Sequence, residues 1–156
     1  MEDIVLMKRN EARRLIRDSN FKKNEIRIGK NETTLHALFK TLICKNLLEK
    51  KIDFVTEAIF ENGGRADIFI LEKFMVVEIM VSEKENNIEN KKKTYPKYLK
   101  FKGIKIIGYT KTLECEDCDR HIELICFNFV GEQKIRKKCK DCLEKEVSYF
   151  IENGSL

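Results

Sequence analysis

Residues 63–82 read GGRADIFILEKFMVVEIMVS, and the reading of this stretch decides the fold. Two apolar runs, RADIFIL and FMVVEIMVS, flank the short break Glu72-Lys73. Runs of this length, rich in Val, Ile and Phe and bounded by turn residues, fit strands. The second is apolar enough for a central strand covered on both faces. Yet Asp67 stands at the mouth of the first run and Glu78 inside the second. Removing an ionised carboxylate from water is costly unless the group is paired or holds a metal. Asp67 and Glu78 are therefore either rim residues of an ordinary sheet or two halves of a cation site.

The flanks extend the pattern. IDFVTEAIF precedes it as a further strand, joined through Asn62-Gly63-Gly64 as a tight turn. Upstream, TLHALFKTLICKNLLEK (34–50) has apolar positions near a 3.6-residue period, and Thr33 or Thr34 can cap it. His36 and Lys40, four apart, share a face of that helix. A looser helical pattern covers residues 3–20. Downstream, residues 83–95 read as a helix that the only proline, Pro96, terminates, and IKIIGYT (104–110) as a fourth strand. Helix, three strands, helix and strand predict an α/β arrangement with a mixed central sheet flanked by helices.

Glu57, in the first strand, adds a third acid to Asp67 and Glu78. Carboxylates held close repel one another, and a divalent cation reverses that penalty. Hard oxygen donors suit Mg²⁺ or Mn²⁺, and the chemistry such an ion serves is phosphodiester hydrolysis.

GGRADIFI followed by FMVVEIMVS resembles the core motif of the PD-(D/E)XK, or restriction-endonuclease-like, superfamily. Asp67 falls on the motif aspartate and Glu78 on the motif glutamate, while Met80 stands where the family's lysine belongs. Glu57 resembles an additional acid some members carry, and His36 with Lys40 resembles the His-x-x-x-Lys feature of competence-protein-like members. The resemblance covers about residues 34–109. It implies a restriction-endonuclease-like core and a Mg²⁺- or Mn²⁺-dependent deoxyribonuclease. Asp67, Glu78 and the Ile79 carbonyl would ligate the ion. Glu57 would serve a second ion or a bound water, and His36 a ligating carboxylate or a phosphate. A thioether cannot activate water, so either a lysine reaches the site from a neighbouring element, Lys40 first, then Lys84, Lys91, Lys92 or Lys93, or the domain binds nucleic acid without cutting it. Ser82 would sit at the rim of the site. A possible homodimer follows from the same family analogy.

Beyond residues 111–114 the composition changes, placing a boundary between 1–112 and 113–156. Cys115-x-x-Cys118 and Cys139-x-x-Cys142 are separated by 20 residues. This is zinc-ribbon spacing, in which four thiolates close a tetrahedron around structural Zn²⁺. So short a segment would need such a staple to fold. His121 is a minor alternative ligand. Cys44 and Cys126, the other two of six cysteines, fall outside the spacing.

The chain has 156 residues, 42% apolar and 37% charged, with a formal net charge of +5. Eight lysines against two acids lie between Lys84 and Lys105. A second basic run, KIRKKCKDC, begins at Lys134. Such clusters either meet a phosphate backbone or form solvated surface. As DNA contacts the candidates are Arg65, Lys91, Lys92, Lys93, Lys134, Arg136, Lys137 and Lys138. No apolar run approaches the roughly 20 residues a membrane helix needs, and the amino terminus lacks a secretory pattern, so a cytoplasmic protein is expected. The rival functions are a DNA-binding protein without catalysis on the same fold, and a zinc-stabilised protein-interaction module.

Overall fold

The computed structural model describes residues 2–17, 21–81, 85–110, 116–118 and 124–153. Its elements are α1 (Glu2–Arg13), α2 (Thr34–Glu49), β1 (Phe54–Ile59), β2 (Arg65–Ile70), β3 (Met75–Val81), α3 (Glu85–Lys93), β4 (Lys100–Thr110), β5 (Leu124–Phe129), β6 (Arg136–Lys138) and α4 (Lys140–Asn153). The strands form one sheet in the order β1-β2-β3-β4-β5-β6. Only β3 and β4 run parallel, and α3 supplies the crossover that a parallel pair requires. The remaining pairs are antiparallel. The protein is thus α/β with a mixed six-stranded sheet.

Helices cover both faces, which is why the strands are apolar throughout rather than alternating. On one face Phe39, Ile43 and Leu47 of α2 pack on Ile68, Ile70, Val77 and Ile79. On the other, Ala12 of α1, Ile16 and Tyr95 close over Val55, Ala58, Phe60, Phe69 and Val76. The helix expected over 3–20 ends at Arg13, and Ile16 bridges Phe60 at the edge of β1.

β1 and β2 change face midway. Val55 and Ala58, three apart, pack on the same side, and so do Ala66 and Phe69. The change falls at Glu57 and Asp67, which lie opposite each other between the rungs Thr56↔Ile68 and Ala58↔Ala66. Glu57 has φ 54°, a left-handed backbone that costs a non-glycine residue about 1–3 kcal/mol. Irregularities of this kind re-aim side chains within a strand.

The segment after residue 123 extends the same sheet and core. β5 pairs with β4 and β6 with β5. Leu143, Val147 and Phe150 of α4 join the α2 core. Phe150 stacks on Phe129 with centroids 3.6 Å apart, and Phe39 meets Phe127 edge-on at 5.7 Å. The boundary expected near residues 111–114 therefore does not divide two cores. Val147 and Phe150 of the terminal VSYFI run lie on the inward stripe of α4, whereas Tyr149 between them is 67% exposed.

Removing the Phe127 ring should cost about 3–5 kcal/mol. Because that ring touches both halves, Phe127→Ala is expected to move a single unfolding transition in urea. Two separate transitions would indicate independent modules.

Candidate functional site

The β2–β3 ladder ends at the rung Ile68↔Val77. At the next position, Asp67 opposite Glu78, side chains replace the backbone rung. The Asp67 N–H donates to Glu78 Oε1 at 3.3 Å, and the Ile79 N–H donates to Asp67 Oδ2 at 2.8 Å. Buried backbone donors need acceptors, and the two carboxylates supply them where the strands part. The sequence-based expectation that Asp67 and Glu78 meet at neighbouring strands holds in this geometry. Asp67 is 16% exposed and opens on a cleft of about 440 Å³ that Ile79 also lines. The Glu78 side chain is 1% exposed.

Cations and donors hold both acids. His36 Nε2 lies 3.2 Å from Asp67 Oδ2. Lys91 Nζ donates to Glu78 Oε2 at 2.7 Å. The Tyr95 hydroxyl lies 2.6 Å from Glu78 Oε1 and 2.7 Å from the Arg65 carbonyl, its one proton shared between them. Burial, then the charge of Glu78, pushes the phenol far up, so Tyr95 remains a donor. Burial also raises Glu78, reinforced by the Asp67 charge and only partly countered by Lys91 and Tyr95. For Asp67 burial acts upward too, but the His36 hydrogen bond and charge outweigh it and the carboxyl sits low. One acid of the pair is thus kept charged while the other resists ionisation, the asymmetry expected of like charges that share a site.

Lys40 is not at this pair. It is fully buried and ion-paired with Glu32 and Glu57, and it donates to the Arg27 carbonyl at 3.3 Å. Glu57 also pairs with Arg65, whose Nε donates to Oε2 at 2.6 Å. A Glu57 oxygen already held by each cation leaves little for a second ion, so the glutamate serves as counter-charge. Of the lysines considered for the missing motif position, Lys91 alone reaches Glu78 among the described residues. Lys92 sits 3.8 Å from Glu89 and lies over the Phe101 ring. Met80 is fully buried, with Cε 2.9 Å from where a Cβ on Gly103 would lie; it fills space against β4. Ser82, Lys84, His121 and Cys115 lie outside the described residues.

The sulfurs of Cys118, Cys139 and Cys142 all lie within 4.8 Å of one another, close enough to hold one metal ion. Cys118 and Cys139 are 3.7 Å apart, matching the edge of about 3.8 Å that Zn–S bonds of about 2.3 Å give a tetrahedron. Cys44 and Cys126 are buried elsewhere, and burial pushes the Cys44 thiol up to about 12.

The second basic run divides. Lys134 and Lys137 are exposed. Arg136 turns inward to Glu146 and Glu132 at 2.7 and 2.6 Å and over the Phe129 ring, and Lys138 is buried beside Asp117 and Glu116. Those two residues brace the fold rather than offering charge to a partner. Arg65 and Lys93 remain outward. Glu32 and Tyr95 were not singled out in the sequence. Glu32 lies four residues before His36, with Oε2 facing Nδ1 at 3.4 Å.

Compared with models of protein families, with curated proteins and with solved structures, the chain gives no match. No helix among the described residues is long and apolar enough to cross a membrane.

Removing Lys40 breaks its ion pairs with the buried Glu57, which keeps Arg65, and with the half-buried Glu32, a loss of about 3–5 kcal/mol. Lys40→Met should therefore lower the urea midpoint strongly. A variant of unchanged stability would contradict the structural role.

Proposed function

We propose that the protein is a metal-dependent nuclease with a restriction-endonuclease-like core, hydrolysing phosphodiester bonds of DNA. One observation carries this reading: Asp67 and Glu78, the two motif acids, meet where β2 and β3 part, beside an open cleft and a lysine amine. The donor set fits Mg²⁺ or Mn²⁺, since hard oxygen ligands converge there and burial leaves Glu78 reluctant to ionise without a cation. When bound, the ion would polarise the scissile phosphate and lower the pKa of an attacking water. Asp67 and Glu78 would hold it, with the Ile79 carbonyl as a further donor. His36 orients Asp67, and Glu32 stands behind His36 as a carboxylate behind a histidine does in many metal sites.

Lys91 takes the part of the family's lysine. Met80 cannot contact phosphate or water, whereas the Lys91 amine comes from α3 to the Glu78 carboxylate and its side chain is 36% exposed. Arg65 lines the cleft with Lys91, and the exposed Lys92 and Lys93 follow Lys91 on α3; as phosphate contacts these residues would give position rather than sequence preference. A second reading, DNA binding without cleavage, is favoured by the buried methionine at the motif position.

The Cys118, Cys139 and Cys142 cluster binds structural zinc on this proposal, with Cys115 as fourth ligand. The ion would tie the turn at residues 116–118 to the junction of β6 and α4. A closed four-thiolate site has no open position for catalysis, so its contribution is to stability.

Purified protein incubated with single-stranded, duplex and branched DNA plus Mg²⁺ or Mn²⁺ should cut at least one substrate, and Asp67→Ala should abolish cutting. Lys91→Ala is expected to slow cleavage by about 10²–10³-fold, the loss typical of one transition-state donor. Salt-sensitive binding without cleavage in either protein would establish the second reading instead.

One zinc per chain is expected by elemental analysis. Its removal with a strong chelator, or Cys139→Ser, should lower the melting temperature. A metal-free protein of undiminished stability would overturn the zinc assignment.

A further inference from the structure

We propose that Tyr95 is a positioning residue for divalent-cation binding, fixing the Glu78 carboxylate through a clamp built by the Asn62–Gly64 turn; the proposal rests on the nuclease reading for the identity of the ion. Tyr95 follows α3 directly, and its backbone is gripped from the β1–β2 turn. Asn62 Nδ2 donates to the Thr94 carbonyl at 2.9 Å, while Asn62 Oδ1 accepts the Gly64 N–H at 3.2 Å. Gly64 is required at that approach, because a Cβ there would run into the Thr94 carbonyl oxygen. The Tyr95 ring is then held edge-on against Phe60 at 5.6 Å and tilted against Phe101 at 6.3 Å. These contacts leave the ring little freedom and deliver its hydroxyl to Glu78.

The hydroxyl does something the ring does not. Glu78 Oε2 is drawn toward Lys91 at 2.7 Å, and the only other described contact of Oε1 is the 3.3 Å bond from the Asp67 N–H. Tyr95 supplies the short bond at Oε1 that opposes the pull of Lys91 and keeps the carboxylate beside Asp67. Partners that orient a metal-ligating carboxylate typically change affinity by about 10–100-fold. A phenylalanine at this position keeps the aromatic packing and removes the hydroxyl with its contacts to Glu78 and to the Arg65 carbonyl.

The test uses the full-length, zinc-loaded chain without nucleic acid, titrated with Mn²⁺ while free Mn²⁺ is read by electron paramagnetic resonance. Wild type should bind Mn²⁺ and Asp67→Asn should lose that binding. Tyr95→Phe should bind about tenfold more weakly or worse, whereas Tyr98→Phe, at an exposed position, should match wild type. In cleavage assays Tyr95→Phe should need more Mn²⁺ for half-maximal rate yet recover at saturation, a shift that a smaller folded fraction would not produce. Should Tyr95→Phe fail to fold, Asn62→Ala releases the Thr94 carbonyl at an exposed turn and must weaken Mn²⁺ binding in the same direction. Wild-type affinity in the folded variants, with binding lost in Asp67→Asn, would overturn the role of Tyr95 and leave the nuclease reading standing. Absence of Mn²⁺ binding by wild type would remove both.

Discussion

Two backbone N–H groups, those of Asp67 and Ile79, are satisfied by carboxylates where a β-ladder would otherwise continue. Much of the local architecture follows from that substitution. Once the strands part, the acids occupy the opening, and each needs compensation because both are largely out of water. His36 from α2 answers Asp67; Lys91 from α3 and Tyr95 from the segment after it answer Glu78. The helices on opposite faces of the sheet are thus joined through one pair of acids. The left-handed Glu57 belongs to the same irregularity, since it lies across from Asp67 where β1 and β2 change face.

A second charged layer lies beside this pair. Lys40, buried between Glu32 and Glu57, pairs with both acids, and Arg65 caps Glu57 from the rim. Lys40 and Glu57 therefore act on the site through its surroundings. Lys91 stands at the cleft itself. Burying an ion pair contributes little net stability, but breaking one is costly. Lys91 is also paired with a buried acid, Glu78, but it is partly exposed where Lys40 is not.

Short, polar-bounded apolar runs made most of the sheet legible: residues 52–60, 65–71 and 74–82 contain β1, β2 and β3. The juxtaposition of Asp67 and Glu78 was legible too, because acids inside such runs require a reason. Lys40 was misplaced because helical spacing shows which residues share a face and not what that face meets. Its partners come from residue 32 and from β1. Tyr95 was invisible for a similar reason: beside Pro96 it reads as the end of a helix, and only tertiary packing carries its hydroxyl to Glu78. The unity of the core was hidden by the cysteine pairs, which resemble a separable module. The inward stripe Leu143, Val147 and Phe150 could have indicated a helix needing a sheet to cover. Arg136 and Lys138 show that a basic run can be partly structural when alternate strand positions turn inward.

The most direct measurement is a crystal structure of the protein soaked in Mn²⁺, with anomalous data collected at the manganese edge. A single peak is predicted at the parting of β2 and β3, about 2.2 Å from a carboxylate oxygen of both Asp67 and Glu78, between the usual Mg–O and Ca–O distances. Fully occupied manganese elsewhere, with Lys91 and Tyr95 still closed on Glu78 and no density between the two acids, would contradict a shared cation site.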